Sequence, residues 1–175
     1  MILKGMPWLQ KQLKKLEETN SKFKEEIKKV KEVMPEVFNE FNQWTPLKLT
    51  FLNFTLDVCA IVANKKYVHK NYIDLFAGSG INKMRGKHSD FLIGSPLISI
   101  LNHHGKFTNF FFCEENPTFF NALEKRIGLL GFKSVFFLKD NCNFCLNKIL
   151  EEIAKNEKSY NFFFISLPAE RKLHT

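Results

Sequence analysis

Two patterns of apolar and polar positions divide the chain. Residues 9–33 place apolar side chains at steps of three and four among lysines and glutamates, which predicts one amphipathic helix. A second, more apolar helix is predicted from about Thr45, an N-cap candidate followed by Pro46 at the first helical position. From residue 71, short β-rich runs alternate with helical stretches. We therefore expect an N-terminal helical extension over residues 1–43 and an α/β domain over residues 44–175.

Four runs in the second half predict strands, at residues 72–76, 108–113, 135–139 and 162–165. They are nearly continuous in apolar residues, as expected of parallel strands that are covered on both faces. Ser95 before Pro96 and Asn116 before Pro117 are signals for the starts of the intervening helices. Strand and helix in alternation are typical of a parallel α/β sheet.

Composition narrows the class of protein. The 175 residues, with 45% hydrophobic positions, suit one globular domain and exclude disorder over most of the length. We find no apolar run near the roughly 20 residues of a membrane helix and no signal peptide, so we expect a soluble cytoplasmic protein. The net charge of +8 comes almost entirely from lysine. Lysine attracts phosphate without reading bases, so this charge supports a nucleic-acid partner only weakly.

The four cysteines predict reduced thiols rather than a disulfide framework, because the chain has no export features. Cys142 and Cys145 have the spacing of half a zinc site, but no second half accompanies them. We therefore favour small side chains on a helix face over a metal site.

The run DLFAGSG, from Asp74 to Gly80, ends the first predicted strand in a sharp turn. Glycines there let the backbone approach a ligand, and a cofactor would lie over the carboxyl ends of the strands. A dinucleotide fingerprint would need a third glycine where Lys83 stands, and a helix before Ser95. A nucleoside-type cofactor fits better, and the alternative is a tight turn with no ligand.

The second and third predicted strands also end in polar residues, at Glu114 and at Asp140-Asn141. An acid beside the glycine turn can accept both hydrogen bonds of a ribose diol. The Asp140-Asn141 pair can meet the exocyclic amine of an adenine. Three successive strands that end in this way form a constellation rather than a single coincidence.

Residues from about 44 to 165 resemble the class I S-adenosylmethionine-dependent methyltransferases, and more narrowly the three-Cys-motif partner protein family. The markers are WT with Lys48 at 44–48, YIDLFAGSG at 72–80, GSPL at 94–97, FFFCEEN at 110–116 and KDNCN at 139–143. The resemblance implies a Rossmann-like fold, S-adenosylmethionine as the cofactor, and a partner protein with a three-cysteine motif encoded nearby.

The same resemblance implies the roles of individual residues in the cofactor site. Glu114, rather than Glu115, would contact the ribose, and for Ser95 simple helix capping is an equal alternative. The implied set is Asp74, Gly78 and Gly80 around the methionine part, Glu114 at the ribose, Asp140 and Asn141 at the adenine, with Ser79 and Ser95 lining the same pocket.

The resemblance weakens after the fourth strand. Amine-methylating relatives carry an acid there, whereas this chain has Ser166, so no catalytic residue is assigned. The chain stops at Thr175, whereas a complete class I domain has seven strands, so we expect a fold truncated after its fourth parallel strand. An apolar fourth strand at an open edge would invite pairing, which favours a homodimer through that edge.

A basic loop over residues 82–88 lies between the glycine turn and the next helix. Lys83, Arg85 and Lys87 would attract DNA or RNA as the methyl acceptor, and the alternative is a solvated loop. Two functional hypotheses follow. The first is an S-adenosylmethionine-binding, methyltransferase-like protein that acts on nucleic acid. The second is a non-catalytic or degenerate fold that serves as the binding partner in a two-protein system.

Overall fold

The computed structural model describes residues 6–84 and 91–166. The helices of this part are α1 (Met6–Lys22), α2 (Lys24–Glu32), α3 (Thr45–Ala63), α4 (Ser95–His103), α5 (Pro117–Leu129) and α6 (Cys142–Ile153). The strands are β1 (Asn39–Phe41), β2 (His69–Asp74), β3 (Ile81–Met84), β4 (Phe91–Ile93), β5 (Asn109–Cys113), β6 (Val135–Leu138) and β7 (Ser159–Phe164).

Four strands form a sheet in the order β6-β5-β2-β7, and every pairing in it is parallel. The register places Tyr72 beside Phe110 on one side and beside Phe162 on the other. The predicted α/β class is confirmed, and this topology is compatible with a Rossmann-like fold. Within the described residues β2 is central and β7 lies at an edge.

Side-chain alternation along the strands produces two apolar layers. Tyr72, Phe110 and Phe112 point to one face and join the main core, where α3 and α4 pack against each other. Ile73 and Phe111 point to the other face and pack with residues of α6. Burial on both faces explains why these strands read as continuous apolar runs.

A second, smaller sheet was not predicted. It has the order β1-β3-β4, with β1 parallel to β3 and β3 antiparallel to β4. Its strands are only three or four residues long; β1 and β3 are interrupted by Glu40, Asn82 and Lys83, and the apolar run of β4 is too short to indicate a strand. Two corrections follow: Asn82–Met84 form a strand rather than a loop, and the predicted helical extension contains β1.

Three predicted helix boundaries are wrong. The helix predicted over residues 9–33 breaks at Phe23 into α1 and α2. Thr45 is already helical, and the N-cap of α3 is Trp44, whose carbonyl accepts from Lys48 N at 3.0 Å. Gly94, not Ser95, is the N-cap of α4. Asn116 caps α5 as predicted, since its side chain accepts from two amides of the first turn.

One helix corrects the expectation about apolar runs. By length and composition alone, α3 is apolar enough to cross a membrane. It contacts α1 and α4, and Leu49, Leu52, Leu56 and Ala60 are buried in the core. A core helix of a soluble protein has the same composition, so this feature does not settle the location of the protein.

Candidate functional site

The glycine turn lies directly after β2, at the carboxyl edge of the parallel sheet. Gly78 and Gly80 have φ of +66° and +81°, in the left-handed region that favours glycine. Gly94 N donates to Gly80 O at 2.7 Å, which holds the start of α4 against the turn. The predicted turn therefore exists, and both glycines meet a backbone requirement.

Glu114 follows β5 and is fixed against this turn by two backbone amides. Its Oε2 accepts from Gly78 N and its Oε1 accepts from Asn116 N, both at 2.8 Å. A carboxylate has about four acceptor positions, so two remain for a ligand. The side chain is thus held in place while it keeps the capacity to bind a diol.

A cavity of about 600 Å³ opens beside the turn and Glu114. This volume lies within the range of about 300 to 1,000 Å³ that small-molecule sites occupy. The cavity combines carboxylates with apolar and aromatic side chains, which fits a nucleoside better than an inorganic ion. Its lining residues are Asn39, Leu75, Phe76, Gly78, Glu114, Glu115, Asn116, Pro117, Phe119, Asp140 and Cys142.

Asp140 lies at the end of β6 and contributes a second carboxylate to this cavity. Its Oδ1 accepts from Asn141 N at 2.9 Å, and its Oδ2 is 3.3 Å from Lys148 Nζ. Asn141 is not among the lining residues. Its side-chain oxygen accepts from Asn143 N at 3.0 Å, because Asn141 is the N-cap of α6.

Asp74 lies behind the turn rather than in the cavity, and it is fully buried. Its Oδ1 accepts from Phe76 N at 3.1 Å, its Oδ2 lies 3.4 Å from the Tyr72 hydroxyl, and the Ser95 side chain also hydrogen-bonds to it. Burial raises the pKa of the Asp74 carboxyl to about 6, although these hydrogen bonds and the charge of Lys48 act in the opposite direction.

Ser79 and Ser95 are buried as well, and neither lines the cavity. The Ser79 hydroxyl bonds Ile81 O at 3.0 Å and Asn39 Oδ1 at 2.9 Å. The three strand ends therefore bring together Gly78, Glu114 and Asp140, while Asp74, Ser79 and Ser95 lie behind the turn and Asn141 caps α6.

Sequence reasoning missed Asn39, which reaches the turn from β1. Its Oδ1 accepts from Ser79 N at 2.7 Å as well as from the Ser79 hydroxyl. A Cβ added at Gly78 would come within 2.6 Å of the same oxygen. The glycine at position 78 is thus required by a neighbouring side chain as well as by its φ. A single Asn in a three-residue strand carries no sequence signal for this role.

Arg126 of α5 was also missed. Its guanidinium is 1% exposed and donates to the carbonyls of Val33, Met34 and Val37 at 2.7 to 3.1 Å, and to Ser79 O at 2.7 Å. Burial lowers its pKa to about 10. One buried cation therefore joins the segment before β1 to the glycine turn.

The predicted nucleic-acid residues are only partly described. Arg85 and Lys87 lie outside the described residues. Lys83 lies on β3, with Nζ 4.7 Å from the centroid of the Phe38 ring and 5.5 Å from that of Phe91. These cation–π contacts engage its charge within the protein.

Lys48 and Ser166 meet beyond the end of β7. Lys48 Nζ donates to Ser166 Oγ at 2.6 Å. Burial lowers the pKa of the Lys48 ammonium, and the carboxylate of Asp74 opposes that shift. Ser166 stands where the family resemblance expects an acid. Lys48 is the ionisable group that contacts it.

Two of the cysteines are paired, which contradicts the prediction of four reduced thiols. Cys113 and Cys145 are joined as a disulfide with a Cα–Cα separation of 6.2 Å, within the usual range of such bonds. Cys59 and Cys142 are free. The pairing arises because Cys113 ends β5 under the first turns of α6. Across residues 6–84 and 91–166, no cluster of three or more His, Cys, Asp or Glu side chains is suited to a metal ion.

A second cavity, of about 540 Å³, lies between α1, α2, α3 and β4. It is mainly apolar and contains none of the predicted cofactor residues, so the cavity at the strand ends remains the candidate site.

No protein-family model matches the sequence, and no curated protein matches it significantly. The methyltransferase resemblance therefore stays an expectation. The geometry of the cavity at the strand ends is what supports a function.

Proposed function

We propose that the chain binds S-adenosylmethionine in the cavity at the carboxyl ends of β2, β5 and β6. The observation that carries the proposal is the convergence of Gly78, Glu114 and Asp140 on one cavity of suitable volume. The chemistry of the lining residues fits the cofactor. Carboxylates can accept hydrogen bonds from the ribose hydroxyls and from the adenine amine, and Phe76 and Phe119 offer apolar surface for the base.

The two carboxylates define an orientation for the cofactor. The Glu114 carboxylate would accept from the ribose hydroxyls, since two amides hold it and two acceptor positions remain. The Asp140 carboxylate would accept from the exocyclic amine of the adenine. The amino-acid tail would then extend in the other direction, past Gly78.

When bound, S-adenosylmethionine supplies an electrophilic methyl group to an acceptor. The contribution of the protein is to hold the acceptor in line with that group and, for some acceptors, to accept a proton. No residue is assigned to the second role, since Ser166 stands at the position of the expected acid and the ammonium group of Lys48, which donates to it, has no proton-accepting capacity. Nucleic acid is the acceptor class that we propose, on the strength of the net charge of +8, to which the cation–π contacts of Lys83 add no support.

Calorimetric titration with S-adenosylhomocysteine tests the proposal without an acceptor. Glu114→Gln should weaken binding by roughly tenfold or more, because loss of the charge weakens its hydrogen bonds to hydroxyls. Glu115→Gln is the matched control and should have a smaller effect. Alternation along a strand would send Glu115 to the side opposite Glu114, but Glu115 lines the same cavity. No heat with folded wild-type protein at millimolar ligand would reject the cofactor assignment.

A second candidate function is that of a non-catalytic binding partner. It is favoured by Ser166 at the position of the expected acid and by the edge strand β7, where Phe163 is exposed and is followed by exposed Ile165. The partner would be a second copy of this chain or a protein with a three-cysteine motif. Light scattering that shows a stable monomer, together with transfer of labelled methyl groups to DNA or RNA, would reject this candidate.

A further inference from the structure

We propose that Asn39 is a ligand-binding residue that recognises the carboxylate of the amino-acid tail of the bound nucleoside. This inference rests on the proposed function and extends it to a residue outside the sequence motif. Asn39 lines the cavity from β1, in the segment predicted to be a separate helical extension.

The two ends of the Asn39 amide have different tasks. Oδ1 accepts from Ser79 N at 2.7 Å and lies 2.9 Å from the Ser79 hydroxyl, whose single proton is also within reach of Ile81 O. Within the described part of the chain, Nδ2 donates to no other group. The side chain therefore presents two N–H donors that a ligand acceptor can use.

The backbone of the turn cannot take this role. Gly78 N donates to Glu114, and Ser79 N donates to Asn39. In a site where the N–H groups of the turn were free, they would be the natural donors for an anion. Here both are occupied, and Gly80 does not line the cavity, so the amide of Asn39 is the donor that remains beside Gly78.

The orientation of the ligand places its tail at this end of the cavity. Base and tail leave the ribose from opposite ends, so a base near Asp140 and a diol at Glu114 direct the tail along Gly78. A Cβ at Gly78 would meet Asn39 Nδ2 at 3.0 Å, which shows how close the amide lies to the turn. An amide N–H donor suits a carboxylate and does not suit an ammonium group.

Arg126 keeps Asn39 in this place. It binds the carbonyls of Val33, Met34 and Val37 just before β1, and Ser79 O in the turn itself. Because Ser79 and the segment that ends two residues before Asn39 are bound to one buried guanidinium, the amide is positioned before the ligand arrives. Such preorganisation reduces the entropy that is lost on binding.

The test compares S-adenosylhomocysteine with 5′-methylthioadenosine, which shares the nucleoside and thioether but lacks the amino-acid tail. Asn39→Asp keeps an oxygen for Ser79 but replaces the N–H donors with a negative charge. It should weaken binding of S-adenosylhomocysteine by about 10- to 100-fold and leave 5′-methylthioadenosine nearly unchanged. Asn39→Ala should act in the same direction, and Asn147→Asp, at an exposed position of α6, should change neither affinity.

Each outcome is interpretable. Equal loss of both ligands, or loss of neither, in a folded Asn39→Asp variant would overturn the role of Asn39. Failure of the wild-type protein to bind either ligand would instead overturn the proposed function. Thermal unfolding of each variant without ligand shows whether it is folded, and the near-isosteric Asn39→Asp substitution serves if Asn39→Ala does not fold.

Discussion

The buried carboxyl group of Asp74 is expected to destabilise the folded chain at neutral pH. It is fully buried and receives hydrogen bonds from Phe76 N, Tyr72 and Ser95. These bonds only partly compensate for the loss of water, since burial still raises its pKa from 3.8 to about 6. Asp74→Asn keeps the shape and one acceptor oxygen but removes the charge.

The pKa shift sets the size of the effect. A change from 3.8 to about 6 is roughly two pKa units, and each unit corresponds to about 1.36 kcal/mol. Ionised Asp74 should therefore cost the folded state up to about 3 kcal/mol above pH 7. Asp74→Asn should restore most of this free energy of unfolding, reduced by whatever stability the changed contact with Tyr72 removes.

The sign of the pH dependence follows from proton binding. Between pH 3.8 and about 6 the folded state holds a proton on Asp74 that the unfolded state has released. The free energy of unfolding therefore falls as pH rises through this window and levels off above it. Below pH 3.8 both states are protonated, so the carboxyl group has no effect there.

The assay is urea denaturation of wild type and Asp74→Asn at intervals between pH 4 and pH 8. The difference in unfolding free energy between the two proteins, rather than either curve alone, is decisive. Burial lowers the pKa of His103 to about 4, which makes stability rise with pH over a similar range and masks the Asp74 effect in wild type. The difference should grow in favour of the variant from pH 4 to pH 6 and then remain constant.

Asp140→Asn is the matched control, because its carboxyl follows β6 of the same sheet and its side chain is 38% exposed. It should change stability by less than about 1 kcal/mol at any pH. A difference between wild type and Asp74→Asn that does not vary with pH, or that favours wild type at pH 7, would refute the argument that the buried Asp74 carboxylate destabilises the fold.

Three further predictions concern the neighbours of the turn. Arg126→Met should lower the free energy of unfolding by about 3 kcal/mol or more, because four carbonyls lose a buried donor, and a loss under 1 kcal/mol in denaturation would contradict this. Gly78→Ala adds a Cβ 2.6 Å from Asn39 Oδ1. The double variant with Asn39→Ala should therefore lose less free energy of unfolding than the sum of the two single variants, and additive losses would disprove the contact. The Cys113–Cys145 disulfide closes a loop of 32 residues and should raise the free energy of unfolding by about 3 to 4 kcal/mol. Thiol titration of the unfolded, unreduced protein should find two free thiols, and four would show that the bond is absent.

The parallel sheet could be predicted because its strands are covered on both faces. Tyr72 and Ile73, side by side in β2, are both fully buried, so the strand reads as apolar without alternation. The glycine turn could also be predicted from the sequence, because the left-handed backbone at positions 78 and 80 favours glycine. Glu114 was found because the end of one parallel strand lies beside the end of the next.

Long-range contacts of single polar residues could not be predicted in the same way. Asn39 reaches Ser79 across 40 positions, and Arg126 reaches Val33 across 93. Neither belongs to a periodic pattern, and an Arg in an α-helix reads as a solvated side chain. The Cys113–Cys145 bond was missed for a related reason, because it depends on where α6 crosses β5.

The way in which the turn satisfies its own amides determines what a ligand can bind. Gly78 N donates to Glu114 and Ser79 N donates to Asn39, so two backbone donors of the turn are used within the protein. A ligand that passes along the turn must therefore be recognised there by the remaining capacity of those two side chains, an acceptor pair on Glu114 and a donor pair on Asn39, while Asp140 offers a further acceptor elsewhere in the cavity. A nucleoside with a diol and an anionic tail matches both, whereas a phosphate would be repelled by the carboxylates of Glu114, Glu115 and Asp140 and would find the amides of Gly78 and Ser79 already used. The same two contacts that stabilise the turn thus select the class of ligand.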